Sequence, residues 1–132
     1  MNITSFNPLI VTGNAQAAIA LFEAMGFERR HSITVNSNGK DITSIRLKDS
    51  GGFYVDVAQV DGIQPDLTLI RMNVDDFDEA YAWLIERGFK NARGEDTSVD
   101  SRTNRSAMMI APSGFAFDLC QHIKSCAPSA GR

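Results

Sequence analysis

The chain has 132 residues, of which 43% are hydrophobic and 22% are charged, and this is the size and composition of one soluble globular domain. Its net charge of −3 argues against a nucleic-acid or anionic-membrane partner, since those partners select basic surfaces. No secretory signal or membrane-spanning segment is recognisable, so we expect a cytoplasmic protein. The two cysteines, Cys120 and Cys126, lack the spacing of a metal site or a disulfide framework.

The first half of the chain predicts the element order β-α-β-β-β. An apolar opening strand at residues 6–12 leads into a helix over residues 15–25, and the side chain of Asn14 can cap that helix. Gly26 ends the helix. Three strands follow, connected by turns that contain Asn-Gly and Gly-Gly pairs. The predicted strands are residues 27–35, 42–47 and 52–59.

After a connector at residues 61–66, the second half predicts the same order. Asp75-Asp76 supplies a cap and favourable negative charge for a helix over residues 77–87, which ends at Gly88. The polar segment 94–104 has no periodicity and predicts a mobile loop near the mouth of a site. The predicted strands are residues 67–74, a short one near 91–93, 105–111 and 114–121. The tail at residues 125–132 predicts disorder.

One eight-residue pattern occurs twice in the chain. Residues 52–59 read GFYVDVAQ and residues 114–121 read GFAFDLCQ, so that both follow G-F-x-[VF]-D-[VL]-x-Q, and the copies begin 62 residues apart. The pairs Gly26-Phe27 and Gly88-Phe89 keep the same offset. A fixed period indicates repeated structural units. We therefore predict a single domain, residues 1–124, built from two repeats at residues 3–60 and 66–123.

Two β-α-β-β-β modules of this kind resemble the vicinal oxygen chelate superfamily, which includes glyoxalase I, extradiol dioxygenases, fosfomycin-resistance enzymes and bleomycin-resistance binding proteins. The resemblance implies an α+β fold in which both modules pair into a curled mixed sheet around a cavity, with the helices on the outer face. It covers roughly residues 3–123. The motifs that carry it are Val11-Thr-Gly-Asn-Ala, Met25-Gly-Phe27, Val74-Asp-Asp-Phe, Arg87-Gly-Phe89 and Pro112-Ser-Gly-Phe-Ala-Phe-Asp118.

The metal enzymes of that superfamily take one ligand from the first strand and one from the last strand of each module, commonly His or Gln and then Glu. The resemblance places these positions at Phe6 (Asn7 if the register shifts by one), Leu69 (or Ile70), Asp56 and Asp118. Phe and Leu have no donor atom, and two carboxylates without an imidazole are a poor set for zinc or ferrous iron. We expect no complete metal site and no cofactor, although the carboxylates could hold a hard divalent cation with water.

Strand alternation places Asp56 and Asp118 on the faces opposite the predicted helices. Each could bind a ligand, act as a general base, or pair with an arginine, because a buried carboxylate must be satisfied. Arg71 could pair with one of them or clamp an anionic ligand, and Arg46 is a weaker candidate for the same role. The predicted ligand-binding residues are Phe6, Tyr54, Asp56, Leu69, Arg71, Met108 and Asp118. No catalytic residue is assigned.

Three functions follow as hypotheses. The first is a homodimeric protein that binds a small organic molecule in the cavity between the modules, without the usual metal site. The second is a metal-dependent lyase or dioxygenase that uses the carboxylates in a displaced site, with His122 as the plausible imidazole donor. The other histidine, His31, is expected to be a packed or surface residue. The third is an interaction module whose cavity is filled by side chains.

Overall fold

The computed structural model describes residues 1–37, 39–94, 98–100 and 104–122. Within these ranges the chain forms two helices and nine strands, which confirms the α+β class. It divides into two compact units, a first unit of residues 7–70 and a second unit of residues 1–6 with 71–132. No helix in the described ranges is both long enough and apolar enough to cross a bilayer. The tail predicted to be disordered lies outside the described residues.

The predicted element order is confirmed in both halves, with one additional short strand. In chain order the elements are β1 Ile3–Thr12, α1 Ala15–Ala24, β2 Glu28–Ser37, β3 Lys40–Lys48, β4 Tyr54–Gln59, β5 Leu67–Val74, α2 Phe77–Glu86, β6 Lys90–Asn91, β7 Val99–Asp100, β8 Asn104–Ile110 and β9 Ala116–His122.

The additional strand, β7, corrects the prediction of a loop over residues 94–104. Val99 and Asp100 pair antiparallel with Ser106 and Arg105 of β8. The unpaired N–H and C=O groups along a strand edge favour such an addition, and sequence periodicity is uninformative for only two residues. The rest of the predicted loop includes residues 95–97 and 101–103, which lie outside the described residues.

The first unit is a mixed sheet covered on one face by α1. Its strand order is β2-β3-β4-β1, with β1 parallel to β4 and the other neighbours antiparallel. Val55 and Val57 of β4 are buried with Ile19 of α1. Leu9 of β1 and Ala58 of β4 form a second buried cluster. Because alternate residues of β4 enter different clusters, its two faces have separate roles.

The second unit repeats this arrangement. Strand β9 lies between β5 and β8, and α2 buries Phe77 and Leu84 with Met109 of β8 and Leu119 of β9. The N-terminal residues belong to this unit, where the backbone N–H of Asn2 donates to the carboxylate of Asp75. That hydrogen bond lowers the pKa of Asp75.

The glutamine that ends each copy of the eight-residue pattern hydrogen-bonds to the start of the helix in its own module. Gln59 Oε1 accepts from the Ala15 N–H at 2.8 Å, and its Nε2 donates to the Gly13 carbonyl at 2.7 Å. In the second module, Gln121 Oε1 accepts from the Phe77 N–H at 2.7 Å, and its Nε2 donates to the Asp75 carbonyl at 2.9 Å. Each glutamine therefore satisfies the first helical N–H, which has no partner inside the helix.

The glycines that end the helices predict a difference between the modules. Gly26 and Gly88 both adopt positive φ, at 106° and 92°. A Cβ at Gly26 would meet nothing within 4 Å, whereas a Cβ at Gly88 would lie 2.9 Å from Pro112 Cγ. We expect Gly88→Ala to lower the free energy of unfolding by about 1 kcal/mol more than Gly26→Ala, because only Gly88→Ala adds overpacking to backbone strain. Urea unfolding of both variants measures the difference, and equal losses would contradict it.

Candidate ligand-binding site

The first unit buries a carboxylate on the sheet face that points away from α1. Asp56 of β4 is fully buried, at 0% exposure, although the residues on either side of it pack towards the helix. Its neighbours across the sheet are Arg46 of β3 and Leu9 of β1. A buried carboxylate needs hydrogen-bond donors, and the adjacent strand supplies them.

Arg46 neutralises Asp56 with a bidentate pair. Its Nε donates to Oδ1 at 2.8 Å and its Nη2 donates to Oδ2 at 2.9 Å. Nη2 also donates to the side-chain oxygen of Asn7 at 3.0 Å. Two parallel charge-assisted hydrogen bonds hold both side chains in one geometry. Asp56 is therefore an internal counterion for Arg46.

The contact with Asn7 also decides the register of the first strand. Asn7 is 5% exposed and lies on the face that carries Asp56, so the register is the shifted one. Phe6 lies on the other face of β1, where its ring makes an edge contact with Phe117 at 6.2 Å and stays 57% exposed. Of the two alternative positions, Asn7 therefore shares the face of Asp56, and ligand binding by Phe6 stays a prediction. Residues 8–11 are all apolar, so the sequence pattern fits both registers and only packing separates them.

Two cations flank the ring of Tyr54 beside this pair. The Arg46 guanidinium carbon lies 5.1 Å from the ring centroid, and Lys48 Nζ lies 5.3 Å from it. Lys48 is the cross-strand neighbour of Tyr54 and shares the face of Arg46, which lies two residues earlier on β3. The role of Lys48 was not predicted, although its alternation with Arg46 could have suggested it.

The second unit neutralises its carboxylate from a different strand. Arg71 of β5 donates from Nε to Asp118 Oδ2 at 2.9 Å, and its Nη2 lies 2.9 Å from the same oxygen. The cross-strand neighbour of Asp118 on β8 is Met108. Met108 thus occupies the position that Arg46 has in the first unit. The prediction that Arg71 could pair with one of the two repeated carboxylates is confirmed.

The remaining predicted residues are placed as follows. Leu69 is half-buried and packs against the cluster of Leu9 and Ala58 in the first unit. His31 is exposed and is the cross-strand neighbour of Arg46, while His122 is exposed at the end of β9. Ligand binding by Leu69, Arg71, Met108 and Asp118 stays a prediction.

A groove of about 830 Å³ lies beside α1 in the first unit. Ile10, Leu21, Phe22 and Ile63 line its apolar part, and Asp66 is the charged residue of its lining. Sequence patterns did not predict this groove. Its polar lining comes from Thr12, Asn14, Gln64 and Asp66, and the first two are hydrogen-bonded at the start of α1.

Comparison with known proteins found similar three-dimensional structures. No protein-family model matches the sequence, and no curated protein matches it. A glyoxalase/bleomycin resistance protein/dioxygenase superfamily member from Vibrio splendidus 12B01 is similar in structure, with a TM-score of 0.59 and 17% identity, over 91% of this chain and 99% of that one. This chain has the vicinal oxygen chelate fold.

Two larger proteins share the vicinal oxygen chelate fold with this chain. A glyoxalase I mutant from Zea mays gives a TM-score of 0.62 with 14% identity, over 91% of this chain and 44% of that one. A 4-hydroxymandelate synthase mutant from Streptomyces coelicolor gives a TM-score of 0.55 with 13% identity, over 96% of this chain and 48% of that one. The present chain spans less than half the length of both, and these identities establish the fold alone.

The residues that the sequence resemblance assigns to metal-ligand positions are a poor set for a metal ion. In the first module, Asn7 and Asp56 are both hydrogen-bonded to Arg46. In the second module, Leu69 has no donor atom and Asp118 pairs with Arg71. Within the described ranges, no three His, Cys, Asp or Glu side chains gather into a possible metal site. A divalent cation at Asp56 would have to displace Arg46, and one at Asp118 would meet the positive charge of Arg71 beside Oδ2.

Proposed function

We propose that this protein binds a small organic molecule on the face of the first unit that carries Arg46, Tyr54 and Asp56, without the metal chemistry of glyoxalase I. The observation that supports the proposal is that an arginine forms an ion pair with each of the two repeated carboxylates. The resemblance assigns Asp56 and Asp118 to metal-ligand positions, and each is paired with an arginine of its own unit. A carboxylate with this partner contributes little to metal affinity and helps to position a cationic side chain.

The half-buried surroundings of this pair suit a binding site. The Arg46 side chain is 22% exposed, so solvent reaches part of it, while the side chain of its partner Asp56 is 1% exposed. Tyr54 is half-buried and offers an aromatic surface next to it. An apolar surface with a few fixed polar groups is the usual composition of a small-molecule site. The groove beside α1 has no arginine or lysine among the described residues that line it.

The alternative function, a metal-dependent lyase or dioxygenase, has less support. It needs carboxylates that are available to a metal and an imidazole close to them. Asp118 Oδ2 accepts from Arg71, and His122 is exposed at the far end of β9. The structural similarity to 4-hydroxymandelate synthase indicates only that the fold also serves as an enzyme scaffold. The homodimer and the cytoplasmic location of this protein stay predictions.

Two measurements test the proposal. Elemental analysis of protein purified without chelator is expected to show no stoichiometric transition metal. Ligand-observed NMR with a panel of neutral, anionic and cationic aromatic compounds is expected to show at least one bound compound, which Tyr54→Ala releases. One metal per chain that is lost in Asp56→Asn, or no bound compound in the whole panel, would overturn the proposal.

A further inference from the structure

The geometry points to an organic anion as the ligand of the Tyr54 face, a carboxylate on an apolar body, held by Lys48 and Arg46. This inference rests on the proposed small-molecule binding and adds the chemical class of the ligand. It depends on the charge that this face presents and on the hydrogen-bond donors that the protein itself leaves unused.

The face presents a net positive charge. Arg46 and Asp56 cancel, because both carboxylate oxygens accept from the guanidinium. Lys48 remains, and within the described part of the chain its ammonium forms no ion pair. Its cross-strand neighbour Glu28 does not neutralise it, since the Glu28 carboxylate lies 3.4 Å from Arg30 Nη2. A positive charge beside a half-buried aromatic ring favours a negatively charged ligand group.

The unused donors belong to two side chains on one face of β3, both close to the Tyr54 ring. Asp56 and Asn7 occupy Nε and Nη2 of Arg46, and Nη1 makes no hydrogen bond to any described residue. Lys48 Nζ has three N–H donors, and its contact within the described ranges is the ring of Tyr54. Together these groups can donate to one carboxylate. The Arg46 guanidinium needs no rearrangement for this, because Asp56 and Asn7 already hold it in place.

A cationic ligand group has no corresponding partner on this face. Asp56, the carboxylate on the Tyr54 face of β4, is 0% exposed and already bidentate with Arg46. The Asp49 carboxylate, in the turn before Tyr54, accepts from the Phe53 N–H at 2.8 Å. Binding a cation at Asp56 would leave two positive charges sharing one carboxylate. The face therefore favours anionic over cationic ligands. A neutral ligand would displace water from the Lys48 ammonium without supplying a counterion for its positive charge.

A matched set of three probes tests the ligand class. Naphthalene-2-carboxylate, naphthalene-2-carboxamide and naphthalene-2-carboxamidine have nearly the same shape and carry negative, zero and positive charge. We expect the carboxylate to bind at least about tenfold more tightly than the other two in titration calorimetry, because only the carboxylate accepts charge-assisted hydrogen bonds.

The matched variants are Lys48→Met and Lys40→Met. Both remove one positive charge from β3, and the two positions are separated by about 26 Å along the strand. Lys48→Met is expected to abolish the preference for the carboxylate, and Lys40→Met to preserve it. Circular dichroism and urea unfolding of Lys48→Met check that the variant folds as the parent does. Arg46 is not replaced in this test, because its loss would leave the buried Asp56 carboxylate without a counterion.

Each outcome decides a different claim. A carboxylate preference that Lys48→Met removes and Lys40→Met keeps supports the inference. Equal or tighter binding of the amide or the amidinium overturns the anionic class and leaves small-molecule binding intact. A carboxylate preference that survives Lys48→Met also overturns the inference, since the anion would then be held elsewhere. Failure of all three probes to bind overturns the inference and counts against the proposed function as well.

Discussion

Arg46→Met is expected to lower the free energy of unfolding by about 3–5 kcal/mol, because it leaves the Asp56 carboxylate buried without a counterion. The Asp56 side chain is 1% exposed, so water cannot replace the two hydrogen bonds from the guanidinium. Methionine keeps most of the apolar length of arginine, which limits the contribution of lost packing. Urea unfolding followed by circular dichroism measures the loss.

The second unit supplies the comparison for this prediction. Arg71→Met removes the partner of Asp118, whose side chain is 16% exposed, and water can solvate that carboxylate better. We expect the loss to be smaller than for Arg46→Met. The double variant Arg46→Met/Asp56→Leu should recover much of the stability, because it leaves no buried charge. A double variant no more stable than Arg46→Met, or a single variant within about 1 kcal/mol of the parent, would show that the pair is not desolvated.

Gln121→Met is expected to cost about 2 kcal/mol, because it leaves the Phe77 N–H and the Asp75 carbonyl without their side-chain partners. Gln59→Met should cost a similar amount through the Ala15 N–H and the Gly13 carbonyl. Both changes keep the side-chain volume, so lost hydrogen bonds account for the effect. Urea unfolding gives the stability change, and amide hydrogen exchange at Phe77 and Ala15 reports the helix start directly.

The control for the glutamine prediction is Gln16→Met on the exposed surface of α1. Its side chain forms no hydrogen bond to any described residue, and we expect a change within about 0.5 kcal/mol. Gln121→Glu retains an acceptor for the Phe77 N–H and removes the donor to Asp75, so it should lie between Gln121→Met and the parent. Unchanged exchange at Phe77 in Gln121→Met would refute the proposed role of the repeated glutamine.

The repeated eight-residue pattern predicted more structural features of this protein than local secondary-structure propensity did. The 62-residue offset between the G-F-x-[VF]-D-[VL]-x-Q copies indicated two equivalent modules, and both have the element order β-α-β-β-β apart from the additional strand β7 in the second. The repeated letters also have the same physical roles in both copies. The alternate apolar residues face the helix, the carboxylate faces the opposite side, and the glutamine binds the first helical N–H.

The eight-residue pattern could not predict which side chain pairs with each repeated carboxylate. Asp56 is neutralised from β3 and Asp118 from β5, although both lie at the same place in the pattern. Met108 of β8 replaces an arginine at the position of Arg46, and Leu9 of β1 is the neighbour of Asp56 on the other side. The sequence contained Arg46 and Arg71 as candidates, but cross-strand register decides which carboxylate each one meets.

By itself, the sequence determined the fold class, the two modules, the helix caps and the face on which each carboxylate lies, because these depend on period and spacing along the chain. Only the tertiary structure decided the register of β1, the strand at Val99–Asp100 and the arginine partner of each carboxylate. Those features depend on which strands become neighbours and on their alignment. A shift of one residue moved Phe6 to the opposite face and placed Asn7 beside Arg46. The continuous apolar run at residues 8–11 of β1 is compatible with both arrangements.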